Sequence, residues 1–405
     1  KRDRLNAHRM DGVVLDPRAS VTPKAPPFPP IFPRWNFRKN FKINSLSLQK
    51  NQRRWVKERL FFYEGAARFW RHFLKRENIK VYVTWMKYDA QHCPLAEALR
   101  ETGGVLAVFQ RALDVTPFIE TQVDTDIYFG YSKWTGEVER QVGSKIPYFI
   151  VTGYLGDHRF ELLKPQAQEV REKLLGAGAN HILSFTDEGS SDDARWYTDH
   201  AHVREDYAFL LEKILKNKHL GLVLKPKIPS SLRHRLGPLV PLLEEALKTG
   251  RCYLYEDGDV MGSYPPAVAA LSADIAIHGY LSAPTASLET ALAGVPTLLM
   301  DREGWHSSPL YALGKNKVIF NDWDSLWEAV SSRKQNREGN SPLGDWSPLI
   351  GEMDPFRDGR GAQRMGTYLH WMMEGFKEGW NRERVLAYAA EKYVKAWGQN
   401  KVISI

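Results

Sequence analysis

Runs of apolar residues alternate with amphipathic stretches through most of the chain, and the first such series begins near residue 79. The run "IKVYVTWM" (79–86) is rich in β-branched and aromatic residues, which favours a strand. The segment "CPLAEALRETGG" has helical spacing of its apolar positions, and "VLAVFQ", "DIYFGYS" and "YFIVTGYLGD" predict further strands. Alternating strands and helices are typical of a parallel sheet, so we predict an α/β domain at 46–170.

A second series of the same kind runs from "NHILSFTDEG" (180–189) to "KVIFND" (317–322). We predict a second α/β domain at 171–335. The remaining segment, 336–405, is expected to be a linker and two terminal helices that pack back on the first domain. The predicted fold class is α/β, with two doubly wound Rossmann-type domains facing a cleft. Open α/β sheets bind ligands at the carboxyl ends of their strands, so we expect the ligand in that cleft.

The composition is that of a globular protein large enough for two domains. The chain has 405 residues, of which 43% are hydrophobic and 26% are charged. Its two cysteines, Cys93 and Cys252, lie in segments of different type, which argues against a disulfide framework. No run of eighteen apolar residues occurs, and the first residues show no signal-peptide pattern. We therefore expect a cytoplasmic location.

The net charge of +8 predicts anionic partners. Residues 1–45 include the proline-rich stretch "PKAPPFPPIFPRWNFRKNFK", which predicts an extended basic strap. The helix predicted at 50–76 combines many basic and aromatic residues with only two acids, Glu58 and Glu64. Such a helix is typical of a surface that lies against an anionic membrane, here the inner face of the cell membrane. The alternative is a domain helix with a solvated basic face.

The stretch "DIAIHGYLSAPTASLETALAGVPTLLM" (274–300) predicts a strand, a polar turn, a helix and another strand. The strand ends at His278, Gly279 permits a tight turn, and Pro284 suits a first helical turn. Free amides at the helix start and the helix dipole favour a diphosphate. The polar side chains beside them are those of Ser282, Thr285, Ser287, Glu289 and Thr290. The alternative is a well-capped helix that binds nothing, since serine and threonine are common caps.

Glu289 follows Thr285 by one helical turn, so a carboxylate and a hydroxyl share one face of that helix. We expect Glu289 to accept hydrogen bonds from ribose hydroxyls. The alternative is a solvated glutamate that the helix dipole favours on its own.

Two other strand ends of the second domain carry charged residues. Lys225 and Lys227 alternate along "VLKPK" and are expected to project to the same side, as cations for a diphosphate. Asp187 and Glu188 end the strand "FTDEGSS", where either acid can bind sugar hydroxyls or act as a base. The alternatives are a basic strand end in solvent for the lysines and a turn or helix cap for the acids.

In the first domain, "WMKYDAQHC" follows the first strand and contains Asp89 and His92. A carboxylate three residues from an imidazole can orient it, and histidine suits proton transfer near neutral pH. Asp157 and His158 are a second pair of this kind near the domain junction. The alternative for His92 is an ordinary surface histidine.

No metal-ligand cluster stands out in the sequence. Asp257 and Asp259 flank a glycine after a strand, and we interpret them as a turn. Arg357, Arg360 and Arg364 lie close together before the terminal helices and are expected to bind acids of the domain surface.

The run "GYLSAPTASLETALAGVP" resembles the C-terminal domain signature of GT-B glycosyltransferases. The run is particularly similar to that of enzymes of bacterial surface polysaccharide assembly, including the CDP-glycerol glycerophosphotransferase group. "VLKPK" supports it, although Lys227 stands where those enzymes often have a histidine. The resemblance covers about residues 180–330.

This resemblance implies a transferase that moves a sugar from a nucleotide-activated donor to a hydroxyl of a surface-glycan or lipid-linked saccharide acceptor. It implies no tightly bound cofactor and no required metal ion, and a base supplied by the first domain. The donor nucleotide, CMP/CDP or UDP/GDP, stays open.

Two alternatives belong to other classes. One is a nucleotide-sugar 2-epimerase on the same fold, which needs several acids and a histidine in the cleft; Asp89, Asp187, Glu188 and His278 are the available residues. The other is a non-catalytic basic binding protein. We expect no nucleic-acid partner, because the basic cluster is confined largely to residues 1–80.

Overall fold

The computed structural model describes residues 8–10, 13–15, 49–88, 90–192, 199–258, 263–335 and 343–405. Apart from its two short strands, the strap expected at 1–45 therefore lies outside the described residues. Two sheets organise the chain, one in each half of the molecule.

The first sheet has the strand order β1-β2-β3-β4-β5-β6-β13, and neighbouring strands are parallel except for the pairs β1/β2 and β6/β13. The strands are β1 (His8–Met10), β2 (Val13–Leu15), β3 (Val81–Thr84), β4 (Val105–Phe109), β5 (Ile127–Gly130), β6 (Tyr148–Val151) and β13 (Val402–Ile403). β3, β4 and β5 are almost wholly buried, because helices cover both faces of the sheet.

Five α-helices of the described residues belong to this first domain. They are α1 (Lys50–Arg76), α2 (His92–Glu101), α3 (Lys133–Gln141), α12 (Gly361–Lys377) and α13 (Arg382–Trp397). Trp70 and Leu74 of α1 pack with Leu95 and Leu99 of α2 against one face. The terminal helices α12 and α13 pack on the other face in a core that contains Tyr368, Val385, Val83 and Ile150, so they cross back as predicted.

The second sheet is parallel throughout, with the order β12-β11-β10-β7-β8-β9. Its strands are β7 (His181–Thr186), β8 (Leu220–Lys225), β9 (Cys252–Leu254), β10 (Ile275–His278), β11 (Thr297–Met300) and β12 (Ile319–Phe320). This is the strand order of a Rossmann domain. The order reverses between β7 and β10, and ligands of such sheets bind at the carboxyl ends of the two strands flanking that reversal.

The remaining α-helices of the described residues surround the second sheet, except for α11, which packs between α9 and α3 of the first domain. They are α4 (Phe160–Gly176), α5 (His200–Lys216), α6 (Leu232–Leu236), α7 (Val240–Lys248), α8 (Pro266–Leu271), α9 (Thr285–Leu292), α10 (Trp323–Gln335) and α11 (Ser347–Met353).

The packing of α4 places the domain boundary earlier in the chain than expected. Ala167, Val170 and Leu174 share a core with Ile182 and Val223 of the second sheet. The chain therefore passes to the second domain between β6 and α4, about ten residues before the boundary expected at residue 170.

Candidate functional site

The reversal point of the second sheet is formed by the ends of β7 and β10. The β7 end carries Thr186 and Asp187, and the β10 end carries His278 and Gly279. Strand pairing brings His278 directly beside Thr186. These residues therefore lie together at the edge where a ligand is expected.

His278 is buried and connects the two strand ends to the loop at 279–284. Its Nδ1 lies 2.9 Å from Thr186 Oγ1, and its Nε2 lies 2.9 Å from the carbonyl oxygen of Ala283. Burial lowers the pKa of His278, which favours a neutral ring that accepts from Thr186 and donates to Ala283. These contacts give His278 a role in fixing the loop.

Gly279 lies beside Phe185 and Asp206. A Cβ atom at this position would lie 3.2 Å from the Phe185 ring and 3.4 Å from Asp206 Oδ2. A larger residue at this strand end would therefore crowd its neighbours. The φ angle of Gly279 is not positive, so the turn does not require a left-handed backbone conformation.

Asp187 is buried and both of its oxygens contact protein partners. Oδ1 accepts from the Lys227 amide over 2.6 Å, and Oδ2 accepts from the Tyr207 hydroxyl over 3.1 Å. The Arg235 guanidinium lies 2.9 Å from Oδ2. Asp187 therefore holds the segment after β8 in place, and its geometry leaves little access for a substrate.

The two predicted lysines differ in environment. Lys225 ends β8 and is buried; its Nζ donates to the Pro226 carbonyl over 3.0 Å and to Ser263 Oγ over 3.1 Å. Burial lowers the pKa of Lys225, although Asp187, Glu289 and Glu188 oppose this shift. Lys227 lies beyond the strand with 44% of its side chain exposed, and its ammonium pairs with Glu188. Lys227 is therefore the more accessible cation.

The loop between β10 and α9 already holds a carboxylate. Glu303, three residues after β11, accepts from Ser282 Oγ over 2.5 Å and from the Ser282 amide over 3.2 Å. Burial and the charges of Asp301 and Glu188 raise the pKa of Glu303 more than its bonds to Ser282 lower it. The sequence reasoning missed Glu303, although an acid just after a strand of the same sheet was a usable signal.

Three hydroxyls of α9 have protein partners. Thr285 Oγ1 accepts from the Leu113 amide of the first domain over 2.8 Å. Ser287 donates to the Pro284 carbonyl over 2.7 Å and is fully buried. Thr290 donates to the Ser287 carbonyl over 3.0 Å. Thr285 thus lies at the domain interface, whereas Ser287 and Thr290 support the helix itself.

Glu289 is buried between three segments. Its Oε1 accepts from the Ala267 amide at the start of α8 over 3.0 Å, and its Oε2 accepts from the Tyr154 hydroxyl of the first domain. Only 4% of the residue is exposed. The predicted ribose-binding carboxylate therefore joins the two domains in this structure.

A narrow pocket lies between the domains. It is lined by Asp114, Thr116 and Phe118 from the first domain and by Ser282, Trp305 and Ser308 from the second. Its volume of about 20 Å³ has room for one water molecule. A nucleotide sugar is far larger, so the domains must separate before such a ligand enters.

Asp114 lines this pocket and belongs to a charged cluster with Lys87 and Glu139. Its Oδ2 lies 2.9 Å from Nζ of the buried Lys87, which also contacts Glu139. Burial lowers the pKa of Lys87, but the charges of Asp114 and Glu139 raise it further, so the net shift is upward. Sequence reasoning missed this cluster, because its members lie in three separate segments.

The residues expected to supply the base lie elsewhere or outside the described residues. Asp89 is outside them. His92 is buried at the start of α2, where its Nε2 accepts from the Asp124 amide over 3.3 Å. His92 thus contacts a loop of its own domain. The predicted pairing of Asp89 with His92 stays a prediction.

The second predicted pair lies in the connection between the domains. Asp157 accepts from the Gly361 amide over 3.3 Å, and burial raises the pKa of Asp157. His158 contacts the Leu155 carbonyl over 3.1 Å and is exposed. Asp157 therefore supports the start of α12, whereas His158 contacts only its own turn.

The three arginines predicted to lie close together have different environments. Arg364 is buried, donates to the Thr152 carbonyl over 3.1 Å and pairs with Asp358. Arg360 donates to Gln363 over 2.8 Å, and Arg357 is exposed.

Within the described part of the chain, no group of three or more His, Cys, Asp or Glu side chains is arranged to hold a metal ion. Asp257 is described, whereas Asp259 lies outside the described residues. Among the helices described, none is both long and apolar enough to cross a membrane.

Comparisons with known proteins give structural similarity alone. No protein-family model and no curated protein matches the sequence. A protein from Listeria monocytogenes that has been assigned as a UDP-N-acetylglucosamine 2-epimerase aligns with a TM-score of 0.50 at 13% identity, over 79% of this chain and 80% of that one. That alignment and the two parallel-sheet domains confirm the predicted GT-B-like α/β fold.

Two other solved structures align less well. S. aureus MnaA, solved with UDP, gives a TM-score of 0.46 at 10% identity, over 77% of this chain and 81% of that one. The wall teichoic acid polymerase TagF gives a TM-score of 0.45 at 9% identity, over 73% of this chain and 74% of that one.

Proposed function

We propose that this protein is a glycosyltransferase. It transfers a sugar from a nucleotide-activated donor to a hydroxyl of a surface-glycan or lipid-linked saccharide acceptor. The observation that carries the proposal is the reversal point of the second sheet, where the 279–284 loop and the start of α9 meet the β7 and β8 ends. Lys227 is the accessible cation at that edge.

The donor diphosphate is proposed to lie against the first turn of α9. Helix N-termini leave amides without intrahelical partners, and the helix dipole favours negative charge there. The Thr285 hydroxyl and the Lys227 ammonium would add donors, and Glu289 would accept from the ribose once Tyr154 releases it. Glu303 must leave Ser282 before a phosphate takes its place.

Domain opening is a required step in this proposal. The Leu113–Thr285 and Tyr154–Glu289 hydrogen bonds hold the two domains together over the pocket. Donor entry breaks both bonds, and closure afterwards excludes water that would otherwise hydrolyse the donor.

Transfer is favoured over 2-epimerisation by the contacts of two residues. Epimerisation requires several acids and a histidine that reach the sugar. Asp187 and His278 are buried. Both carboxylate oxygens of Asp187 and both ring nitrogens of His278 contact protein groups. Free epimerised nucleotide sugar, formed without any acceptor, would instead favour the epimerase.

A thermal-shift screen against CMP, CDP, UDP, GDP and ADP, each with and without Mg²⁺, tests the proposal. A nucleotide at a hundred times its Kd adds about 2.7 kcal/mol to the free energy of unfolding. Lys227→Gln should abolish the shift. Lys216→Gln is the matched control, because Lys216 is an exposed lysine that pairs with Glu212 on α5. No shift with any nucleotide at millimolar concentration would exclude this donor site.

We further propose that the first half of α1 contacts an anionic membrane, at the inner face of the cell membrane. Residues 50–62 contain five basic residues and one acid. Trp55, Phe61 and Phe62 are 59%, 42% and 46% exposed, whereas Trp70 and Leu74 in the second half are buried. Exposed aromatic rings among cations fit a headgroup region, with the rings inserted and the cations paired with anionic lipid.

Sedimentation with vesicles tests this surface. The protein should pellet with phosphatidylglycerol-containing vesicles and stay in solution with phosphatidylcholine alone. The double variant Trp55→Ser and Phe61→Ser should lose binding. Leu162→Ser, at an apolar position of α4 that is 74% exposed, is the control and should bind normally. Equal binding of the double variant would exclude α1 as the contact.

A further inference from the structure

The interdomain pocket brings a carboxylate of the first domain to the loop proposed to hold the donor. Asp114 lies in the loop after β4 and Ser282 in the loop after β10, and both line this pocket. Phe118 and Trp305, one from each domain, line it as well, with ring centroids 5.4 Å apart in an edge-to-face contact. An acceptor hydroxyl and a donor would meet in this space.

Asp114 is held there by the buried cluster after β3. Lys87 is 2% exposed and lies between the carboxylates of Asp114 and Glu139. Glu139 is fully buried, and its second oxygen accepts from Ser144 Oγ over 2.7 Å. Lys87 and Glu139 therefore form a fixed pair within the domain, and Asp114 is the member that faces the pocket.

Charge balance alone does not account for Asp114. Lys87 and Glu139 already neutralise each other, so the second carboxylate adds a negative charge to these three residues; Arg111, whose charge acts on Tyr88 together with that of Asp114, is a further cation nearby. Glu139 has no exposed surface, whereas 15% of the Asp114 side chain is exposed. The excess charge therefore lies at the pocket.

We infer that Asp114 is the general base of the transfer reaction, an inference that rests on the proposed function. The Asp114 carboxylate takes the proton of the acceptor hydroxyl while the acceptor oxygen forms a bond to the anomeric carbon of the donor. The bond from that carbon to the diphosphate oxygen breaks, and its electron pair leaves with the nucleotide. Lys87 is a positioning residue that orients Asp114.

The test separates the base from the donor site. Nucleotide affinity is measured by calorimetry with UDP and GDP. Turnover is measured as nucleotide released from UDP-glucose, UDP-N-acetylglucosamine or GDP-mannose, with glycerol supplying the acceptor hydroxyl. Asp114→Asn should lower turnover about 100-fold or more, the range of general base catalysis. Its nucleotide affinity should stay within about twofold of wild type, because Asp114 has no role in holding the nucleotide.

Two further variants guard against a folding defect. Glu120→Gln changes an exposed acid of the same domain and should leave turnover unchanged. Asp114→Glu keeps the carboxylate and should retain more turnover than Asp114→Asn. Equal turnover of Asp114→Asn and wild type would overturn the inference and leave the proposed function intact. A wild-type protein that binds none of CMP, CDP, UDP and GDP would overturn both, and an Asp114→Asn protein that loses nucleotide affinity together with turnover would overturn the base assignment alone.

Discussion

The backbone amide of Leu113, in the first domain, donates a hydrogen bond to Thr285 Oγ1, at the start of α9 in the second domain, over 2.8 Å. Glu289, one turn further along α9, accepts from the Tyr154 hydroxyl of the first domain. Two side chains expected to bind the donor are thus bonded to the opposite domain. Each side chain can bind a donor only after its hydrogen bond to the first domain breaks, so donor binding requires the domains to open.

Tyr154→Phe should lower the free energy of unfolding by about 1.5–3 kcal/mol, the range for a hydrogen bond to a charged group. The substitution removes only the hydroxyl and leaves the buried Glu289 with the Ala267 amide as partner. Urea unfolding followed by tryptophan fluorescence measures the difference. Tyr253→Phe, at a half-buried tyrosine of β9, is the matched control and should have little effect. A Tyr154→Phe protein as stable as wild type would contradict the contact.

The sequence predicted where Glu289 lies but could not predict what it binds. Its spacing from Thr285 placed both residues on one face of a helix at the carboxyl edge of a sheet, and the structure has them there. The partner of Glu289 is Tyr154, 135 residues away. Helical periodicity describes a face of one element, and a hydrogen bond between domains depends on how two separately folded units meet.

The same limit applies to the domain boundary. The apolar positions of α4 predict a helix with one buried face, and Val170 and Leu174 are buried. That pattern is the same whichever sheet the helix covers, so it could not show that α4 packs on the second sheet. The strands and the two terminal helices were predictable, because their own apolar runs define them: the two terminal helices predicted within 336–405 are α12 and α13.

Asp187→Asn should destabilise the protein by about 3 kcal/mol, because it leaves the buried Arg235 guanidinium without its charged partner. This result would identify Asp187 as an anchor of the 225–227 segment. The control is the neighbouring Glu188→Gln. Glu188 pairs with the partly exposed Lys227, so this change should cost at most about 1 kcal/mol. Denaturant unfolding of both variants measures the effects, and equal stabilities of the two variants would contradict the assignment.

Asp206 should make stability fall as the pH rises between about 4 and 7. Burial raises the pKa of Asp206 to about 7 from an ordinary value of 3.8, although Trp323 and Arg302 oppose the shift. Between these two values the folded protein holds a proton that the unfolded chain has released. Stability from this group is therefore complete below about pH 4 and is lost as the pH rises through 7, with a slope of at most about 1.4 kcal/mol per pH unit.

Asp206→Asn isolates this contribution, because the amide keeps an oxygen acceptor for Trp323 and Arg302 but does not titrate. The measurement is the difference in unfolding free energy between wild type and Asp206→Asn at pH 5, 6, 7 and 8. We expect wild type to lose stability relative to the variant up to about pH 7. A difference that stays constant across this range would show that Asp206 is ionised throughout.

Glu303→Gln should strengthen the binding of nucleoside diphosphates about tenfold, because it removes a negative charge from the loop proposed to hold the phosphates. Glutamine can still accept from Ser282, whose amide and hydroxyl now bond to the carboxylate. Calorimetry with UDP and with uridine separates the phosphate effect, since uridine binding should not change. Glu256→Gln, at an exposed acid paired with Arg233, is the control.

Because burial raises the pKa of Glu303, acidification should protonate it and bring the UDP affinity of wild type towards that of the variant. Unchanged UDP affinity in Glu303→Gln would mean that the phosphates do not approach Ser282.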